Sequence, residues 1–408
     1  MLSQVLNRFS RRKTKTKAAQ RIKFSTVEQY IAAITDLYKT QVIKKINCNK
    51  NPRKVIASVL KSAKEREFQT KRSNCEDRGE GTLADGYTSL DQVANVIQFY
   101  LNSQRNHGEN LRDAAAFLFS HYFLLRGQSI RHAELTDFQT VNLDNESIRP
   151  DIECPALVMV LRQGKTNKNN RLELGGCIRN TRVEICPIMS LGLYLFWRFH
   201  VENEPFPDFT TSHNWYFIKL FKSDNQNLKK IWSYNSHRDA VIRGLDGAKI
   251  FSKTKTHINR GSSARMADLA GVHEDQIRRL GRWNNTTMNG AYLTGLPREA
   301  MRAMAGFTIQ PGQFYIPRAS LDPPEDLTKL IFPLLDEWND RSLAKNVDKN
   351  NGDPMEVTVA AKACFQLFFM LRKIIIQDSI VMMMEKFPNY PLWQNELFSN
   401  HMFLEYKE

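Results

Sequence analysis

The sequence is poor in the features that would mark a disulfide scaffold, a zinc site or a membrane span. Its six cysteines (Cys48, Cys75, Cys154, Cys177, Cys186, Cys364) contain no C-x-x-C pair. That fits reduced thiols in an intracellular protein and not a disulfide framework. Zinc-ligand spacing is missing too, and no carboxylate cluster suggests a catalytic metal. The most apolar tract, Val357 to Met384, is interrupted by Lys362, Arg372, Lys373 and Asp378, so it reads as buried helices and not as a membrane span. The N-terminus lacks the apolar core of a secretory signal. These absences lead to an expectation of no metal, no cofactor and no membrane partner.

Acid is scarce at the start. Residues 1–23 carry eight Lys/Arg, and the first acid is Glu28. Three readings stay open for this basic arm: a segment that tracks a phosphate backbone, a nuclear-import signal, or an Arg-rich transit peptide. The whole chain is basic, with 58 Lys+Arg against 43 Asp+Glu, a net charge of +15 and a pI near 9.5. Such an excess favours a polyanionic partner, because phosphate contacts release counterions. An uncommitted basic surface is the plainer reading. At 408 residues, 42% hydrophobic and 25% charged, the chain can build two or three packed domains.

The periodicity predicts a mainly α protein with a small β element. Ser25-Thr26-Val27-Glu28 has capping-box spacing ahead of a helix carrying Tyr30, Ile31, Ile34, Leu37 and Tyr38. A second helix is expected over 51–67. Residues 69–87 turn polar and glycine-containing, as a linker does. Ser89 is placed to cap a helix through Tyr100, and Leu111 to Leu125 reads as a buried helix. Ala156–Arg162 and Arg171–Ile178 read as strands joined by a turn over 165–170. From His237 to Gly306 four short helices are expected, broken at Gly261, Gly271, Gly281 and Gly295. Pro323-Pro324 opens a further apolar helix, residues 341–354 read as a loop, and the remainder as helix. The expected domains are a basic arm (1–24), a helical core-binding domain (25–68), a linker (69–87), a catalytic domain (88–310) and a helical C-terminal extension (311–408).

One constellation points to chemistry on a phosphodiester. His257-Ile258-Asn259-Arg260 is the single His-x-x-Arg in the sequence; Trp283 follows His257 by 26 residues, and Tyr292 follows Trp283 by nine. Transfer of a phosphodiester to tyrosine needs a phenol nucleophile, fixed cations for the nonbridging oxygens, an acid for the leaving oxygen and a base for the phenol. Tyr292 is the candidate nucleophile. Arg260, one helical turn from His257 and expected on the same face, suits the clamp because its planar fork stays charged. Trp283 can donate its indole N–H, or is simply core packing. A second arginine is available in Arg126 or Arg131. Lys165, in the expected turn, could reach the leaving oxygen, or is a solvated lysine.

These motifs resemble the tyrosine recombinase (phage-integrase-like) family. More narrowly, residues 255–261, 274–284 and 314–318 resemble its fungal branch, which holds Crypton-type recombinases and the DNA-binding region of a yeast centromere-binding kinetochore subunit. The resemblance covers roughly residues 25 to 400. It implies a helical core-binding domain plus a tyrosine-recombinase-like catalytic domain that clamp duplex DNA like a C, with a helical C-terminal extension. It also implies self-association on DNA and a nuclear location. Carried over by position, Arg126 matches the first-box arginine, with Thr136-Asp137-Phe138 supporting it over Arg131, and Lys165 matches the hairpin lysine. His257 and Arg260 match the second box, Trp283 stands where many members have histidine, and Tyr292 is the nucleophile. The acid often found three after the first arginine is Ser129 here.

Two activities follow. The first is a Crypton-type recombinase that cuts and rejoins strands through a 3′-phosphotyrosine, with Arg126, Lys165, His257, Arg260, Trp283 and Tyr292 as its catalytic set. The second is a domesticated protein that grips a centromere or promoter without cutting. A fold does not choose between them. Type IB topoisomerases share the chemistry. Arg131, Lys168, Arg278, Arg279 and Arg282 are read as DNA-binding or surface charges, and Lys249, Lys253 and Lys255 as a backbone-binding face or a solvated loop.

Overall fold

The computed structural model describes residues 24–51, 57–75, 77–79, 82, 84–162, 172–224, 226–252, 255–283, 295–348 and 352–408. Lys165, Lys168, Lys253 and Tyr292 lie outside the described residues, as do residues 1–23 of the basic arm. The chain divides into two compact units, Met1–Thr82 and Leu83–Glu408.

The first unit contains α1 (Phe24–Ile43) and α2 (Ala57–Ser73). α1 buries Val27, Ile31 and Thr35. The Thr35 hydroxyl donates to the Ile31 carbonyl at 2.7 Å, which satisfies a polar group that burial would otherwise penalise. The Phe24 amide donates to Glu67 at 2.6 Å, tying the start of α1 to α2. The expected capping box does not form: α1 starts at Phe24, so Ser25 sits inside its first turn. α2 continues past Glu67 to Ser73, so helix replaces the first residues of the expected linker.

The second unit is built around α4 (His107–Tyr122), which is buried on every side from Asn110 to Tyr122. Alanines 114–116 let neighbours approach closely, and Leu111, Phe117, Leu118 and Phe119 fill the core. α3 (Leu90–Asn102) packs against it. As expected, Ser89 caps α3, its hydroxyl accepting from the Gln92 amide at 3.3 Å. After α5 (Gly127–His132) comes an antiparallel sheet of β1 (Phe138–Asn142), β2 (Pro155–Leu161) and β3 (Glu173–Ile178), ordered β1-β2-β3. Phe138 pairs with Met159, and Ala156 with Ile178. β1 escaped the sequence reading because in Phe-Gln-Thr-Val-Asn only Phe138 is buried.

α6 (Pro187–Phe196) is buried throughout. Among the described residues of 234–306 lie the helices α7 (Tyr234–Gly247), α8 (Ile258–Leu269), α9 (Glu274–Gly281) and α10 (Arg298–Met304). Gly261 does not break a helix; it lies inside α8. Nor is 341–354 all loop, because α11 (Leu334–Val347) carries on, and Arg341 and Lys345 bond Asp353. α12 (Val359–Val381) packs on α6 and β1, within the same unit as residues 83–310. A Cβ on Gly192 of α6 would lie 2.9 Å from Ile375 of α12, so glycine lets the two helices meet. Buried Asp378 of α12 pairs with Arg179 beyond β3 and, at 2.8 Å, with Arg318.

Candidate nucleic-acid interface

The site is built on one tight turn. α4 stops at Tyr122, and Leu124 takes a left-handed conformation, φ +46°. That is uncommon for a side chain with a Cβ and costs about 1–2 kcal/mol. Complete burial of the Leu124 and Leu125 side chains holds it there. The turn places Arg126 at the N-cap of α5 and aims the Leu124 carbonyl back toward α8 and α9.

Two arginines converge on that carbonyl. Arg260, only 8% exposed, donates from Nη1 to Leu124 O at 2.5 Å and from Nη2 to Gly281 O at 2.8 Å. Arg282 donates from Nη2 to Phe123 O at 2.8 Å and to Leu124 O at 3.1 Å. Arg282 is itself left-handed, closing α9 as a C-cap with φ 55°. Its Nη1 is buried without a hydrogen-bond partner among the described residues. It lies against β3, where a Cβ on Gly175 would come within 3.3 Å of it and 2.9 Å of Phe123. Trp283 places its ring 5.0 Å from the Arg260 guanidinium and is 44% exposed, so it is not a core tryptophan.

Electrostatics define the cluster. Burial, with the charge of Arg126 next, pushes Arg260 down to about 10, and Glu173 acts in the opposite sense. Burial, then Arg260, pushes Arg282 down to about 9, with Glu173 opposing and Arg126 adding to the depression. Three guanidinium groups therefore repel one another around an acid that offsets them in part. Arg260 and Arg282 both remain cations at neutral pH, in a place where an arriving anion would be strongly favoured.

α8, which carries Arg260, is pinned against α4. Asn259 donates to the Phe117 carbonyl at 2.9 Å. His121 of α4 meets the hydroxyls of Tyr87 at 2.8 Å and Ser263 at 2.6 Å. Burial pushes His121 down to about 3, so it is neutral. The Arg260 guanidinium is thus set by the packing of two helices, not by a loop.

The other singled-out residues are distributed around this centre. His257 is exposed at the N-cap of α8, after a short turn over Lys255–His257, while Arg260 is buried one turn on. Lys255 is half-buried and Lys249 is exposed. Arg131 lies over the Tyr234 ring, 5.3 Å from its centroid. Arg278 is paired with Glu274 at 2.6 Å, and Arg279 donates to the Gly295 carbonyl. Asp137 accepts from the Glu134 amide at 2.9 Å and closes a small turn. The sequence reading put Arg282 among the outer DNA contacts, whereas its side chain belongs to the Arg260 cluster. The signal for this was its place between Gly281 and Trp283, with the paired glycines of β3 opposite.

Several arginines of this unit pair with carboxylates, Arg112 with Asp113, Arg198 with Glu204, Arg302 with Glu146 and Arg372 with Asp336, while Arg265 and Arg279 donate to the carbonyls of Asp85 and Gly295. At the turn, Arg260 and Arg282 rest on backbone carbonyls and Arg131 rests on a ring. Among the described residues no His/Cys/Asp/Glu group is arranged to hold a metal ion, and no helix is long and apolar enough to cross a membrane.

Comparison with known families decides the lineage. The family model described as "Centromere DNA-binding protein complex CBF3 subunit, domain 2" matches residues 17–404. The chain belongs to that family. No curated protein matches it. Among solved structures, a chain from "Ndc10: a platform for inner kinetochore assembly in budding yeast" is similar at 12% identity and a TM-score of 0.44, over 95% of this chain and 83% of that one. A chain from a "Flpe-Holliday Junction Complex" is similar at 15% identity and a TM-score of 0.41, over 88% of this chain and 82% of that one. Both likenesses are distant and assign no role. The matched residues span the Leu124 turn, the left-handed Arg282 cap and the C-terminal helices.

Proposed function

We propose that the chain is a duplex-DNA-binding protein of the centromere-binding type. Its phosphate seat is the arginine cluster of Arg126, Arg260 and Arg282 on the Leu124 turn, and it works in the nucleus. The observation that carries this reading is the convergence of Arg260 and Arg282 on the Leu124 carbonyl, with the charge of Arg126 acting on both. Arginines held this way keep a net positive field for a phosphate, whose counterions are released on binding. The test is a titration of the full chain against a pool of duplexes at several salt concentrations, comparing wild type with Arg126→Gln. Nanomolar binding to a selected site, weakened about tenfold or more in the variant with an unchanged thermal melt, supports the reading. Binding that is absent, or untouched by the substitution, overturns it.

A second reading is strand cleavage by Tyr292, with Arg126 and Arg260 as the clamp, Lys165 as general acid, His257 as acid/base and Trp283 assisting. It is favoured by the coupling of Arg126 to Arg260 and the stacking of Arg260 on Trp283, which gather three of those residues. Against it, both terminal nitrogens of Arg260 already donate to carbonyls. Nicked cognate DNA decides the matter. A covalent protein–DNA adduct that disappears in Tyr292→Phe supports cleavage, and binding without an adduct leaves the chain a binder.

A further inference from the structure

We propose that Arg131, laid on the exposed ring of Tyr234, is a second phosphate seat for the same DNA, reached along α5 from the Arg126 cluster; this rests on the DNA-binding reading above. Arg131 is half-buried, and among the described residues it has no hydrogen bond or ion pair, only the Tyr234 ring 5.3 Å away. Tyr234 is 52% exposed, opening α7, and is therefore not there to fill the core. A ring face stabilises a cation weakly and leaves its charge uncancelled. The acids on neighbouring elements are engaged elsewhere, Glu134 by Lys219 and Asp239 by Arg238. Buried His237 is held neutral, pushed down to about 3 by burial first and then by Arg131 and Arg112.

The seat is continuous with the cluster. A Cβ on Gly127 would lie 3.2 Å from Thr256, 3.3 Å from Arg131 Nη1 and 3.3 Å from His237. The start of α5, the Lys255–His257 turn and α7 therefore meet at one point, with half-buried Lys255 beside it. Glycine at 127 is what allows this approach. Arg131 follows Arg126 by five positions, about 7.5 Å along a helix.

The experiment measures affinity for a selected duplex as a function of salt, using the full chain. Arg131→Gln should lower the slope of log K against log salt by about 1, and Arg131→Lys should restore it. Tyr234→Leu should weaken binding about threefold, while Tyr234→Phe, which keeps the ring, should match wild type. Thermal melts of each variant confirm folding. If Arg131→Gln keeps the wild-type slope and affinity while Arg126→Gln loses both, the second seat is wrong and the DNA-binding reading stands. If wild type binds no duplex, both fall together.

Discussion

Arg260 and Arg282 donate to the same acceptor, the carbonyl oxygen of Leu124, at 2.5 and 3.1 Å. Two cations drawn to one dipole repel each other, and only the packing of α8 and α9 around the turn keeps them there. An anion bound beside them would relieve the repulsion. Sulfate or phosphate should therefore raise the melting temperature more than chloride at equal ionic strength, through preferential binding to the folded state. In Arg282→Gln that extra anion stabilisation should shrink by half or more. Equal responses of the two proteins to sulfate would show that the cluster does not hold anions.

Trp283 is the exposed side of the same arrangement. Its stacking on Arg260 is worth about 0.5–1 kcal/mol at an exposed position. Trp283→Leu should therefore change stability by less than about 1 kcal/mol in urea unfolding, and weaken DNA binding several-fold. A large loss of stability would mean that the indole is a core element after all.

Acid should destabilise the protein through its buried histidines. Burial pushes His121 and His237 down to about 3 and His200 to about 4. Unfolded, each takes up a proton near pH 6.5, so below that value the unfolded chain binds more protons. Stability present above pH 6.5 should be lost as pH falls toward 3–4, by up to about 1.4 kcal/mol per pH unit for each histidine. Asp137 runs the other way: burial raises it to about 6, so its contribution is complete below pH 3.8 and is lost as pH rises through 6. Urea unfolding of wild type and Asp137→Asn between pH 4 and 7 separates the two. The variant should show the steeper loss on acidification, because the opposing carboxyl is gone.

Asp378 holds two buried arginines, Arg179 and Arg318. Asp378→Ala leaves both cations uncompensated and should cost about 3–5 kcal/mol. Unfolding midpoints in urea measure it. A cost below about 1 kcal/mol would mean that the arginines find other partners or water.

Motif spacing made the centre of the site legible, and helical period made most of the helices legible. Arg260 and Trp283 were singled out together by their interval, and the structure brings them into contact, whereas His257 stays exposed outside the cluster. The role of Arg282 was hidden, because it depends on two left-handed residues, Leu124 and Arg282 itself, that no periodicity announces. Leucine is a poor advertisement for such a turn; burial imposes it. β1 was hidden because only Phe138 of its residues is buried, and the continuation of α11 by an ion pair, Arg341 to Asp353, in a stretch that looks like loop. The Arg131–Tyr234 contact joins residues about a hundred positions apart, which spacing within one motif cannot reveal.

The close seating of α12 on α6, where Gly192 admits Ile375, bears on how mutants would be read. The C-terminal helix shares its core with the elements that carry the arginine turn, so a lesion far from the turn in sequence would still reach it. In a genetic screen, substitutions at Gly192, Ile375 or Asp378 would score as loss of DNA binding while touching no DNA. Separating the two kinds of allele requires measuring protein abundance and melting alongside binding.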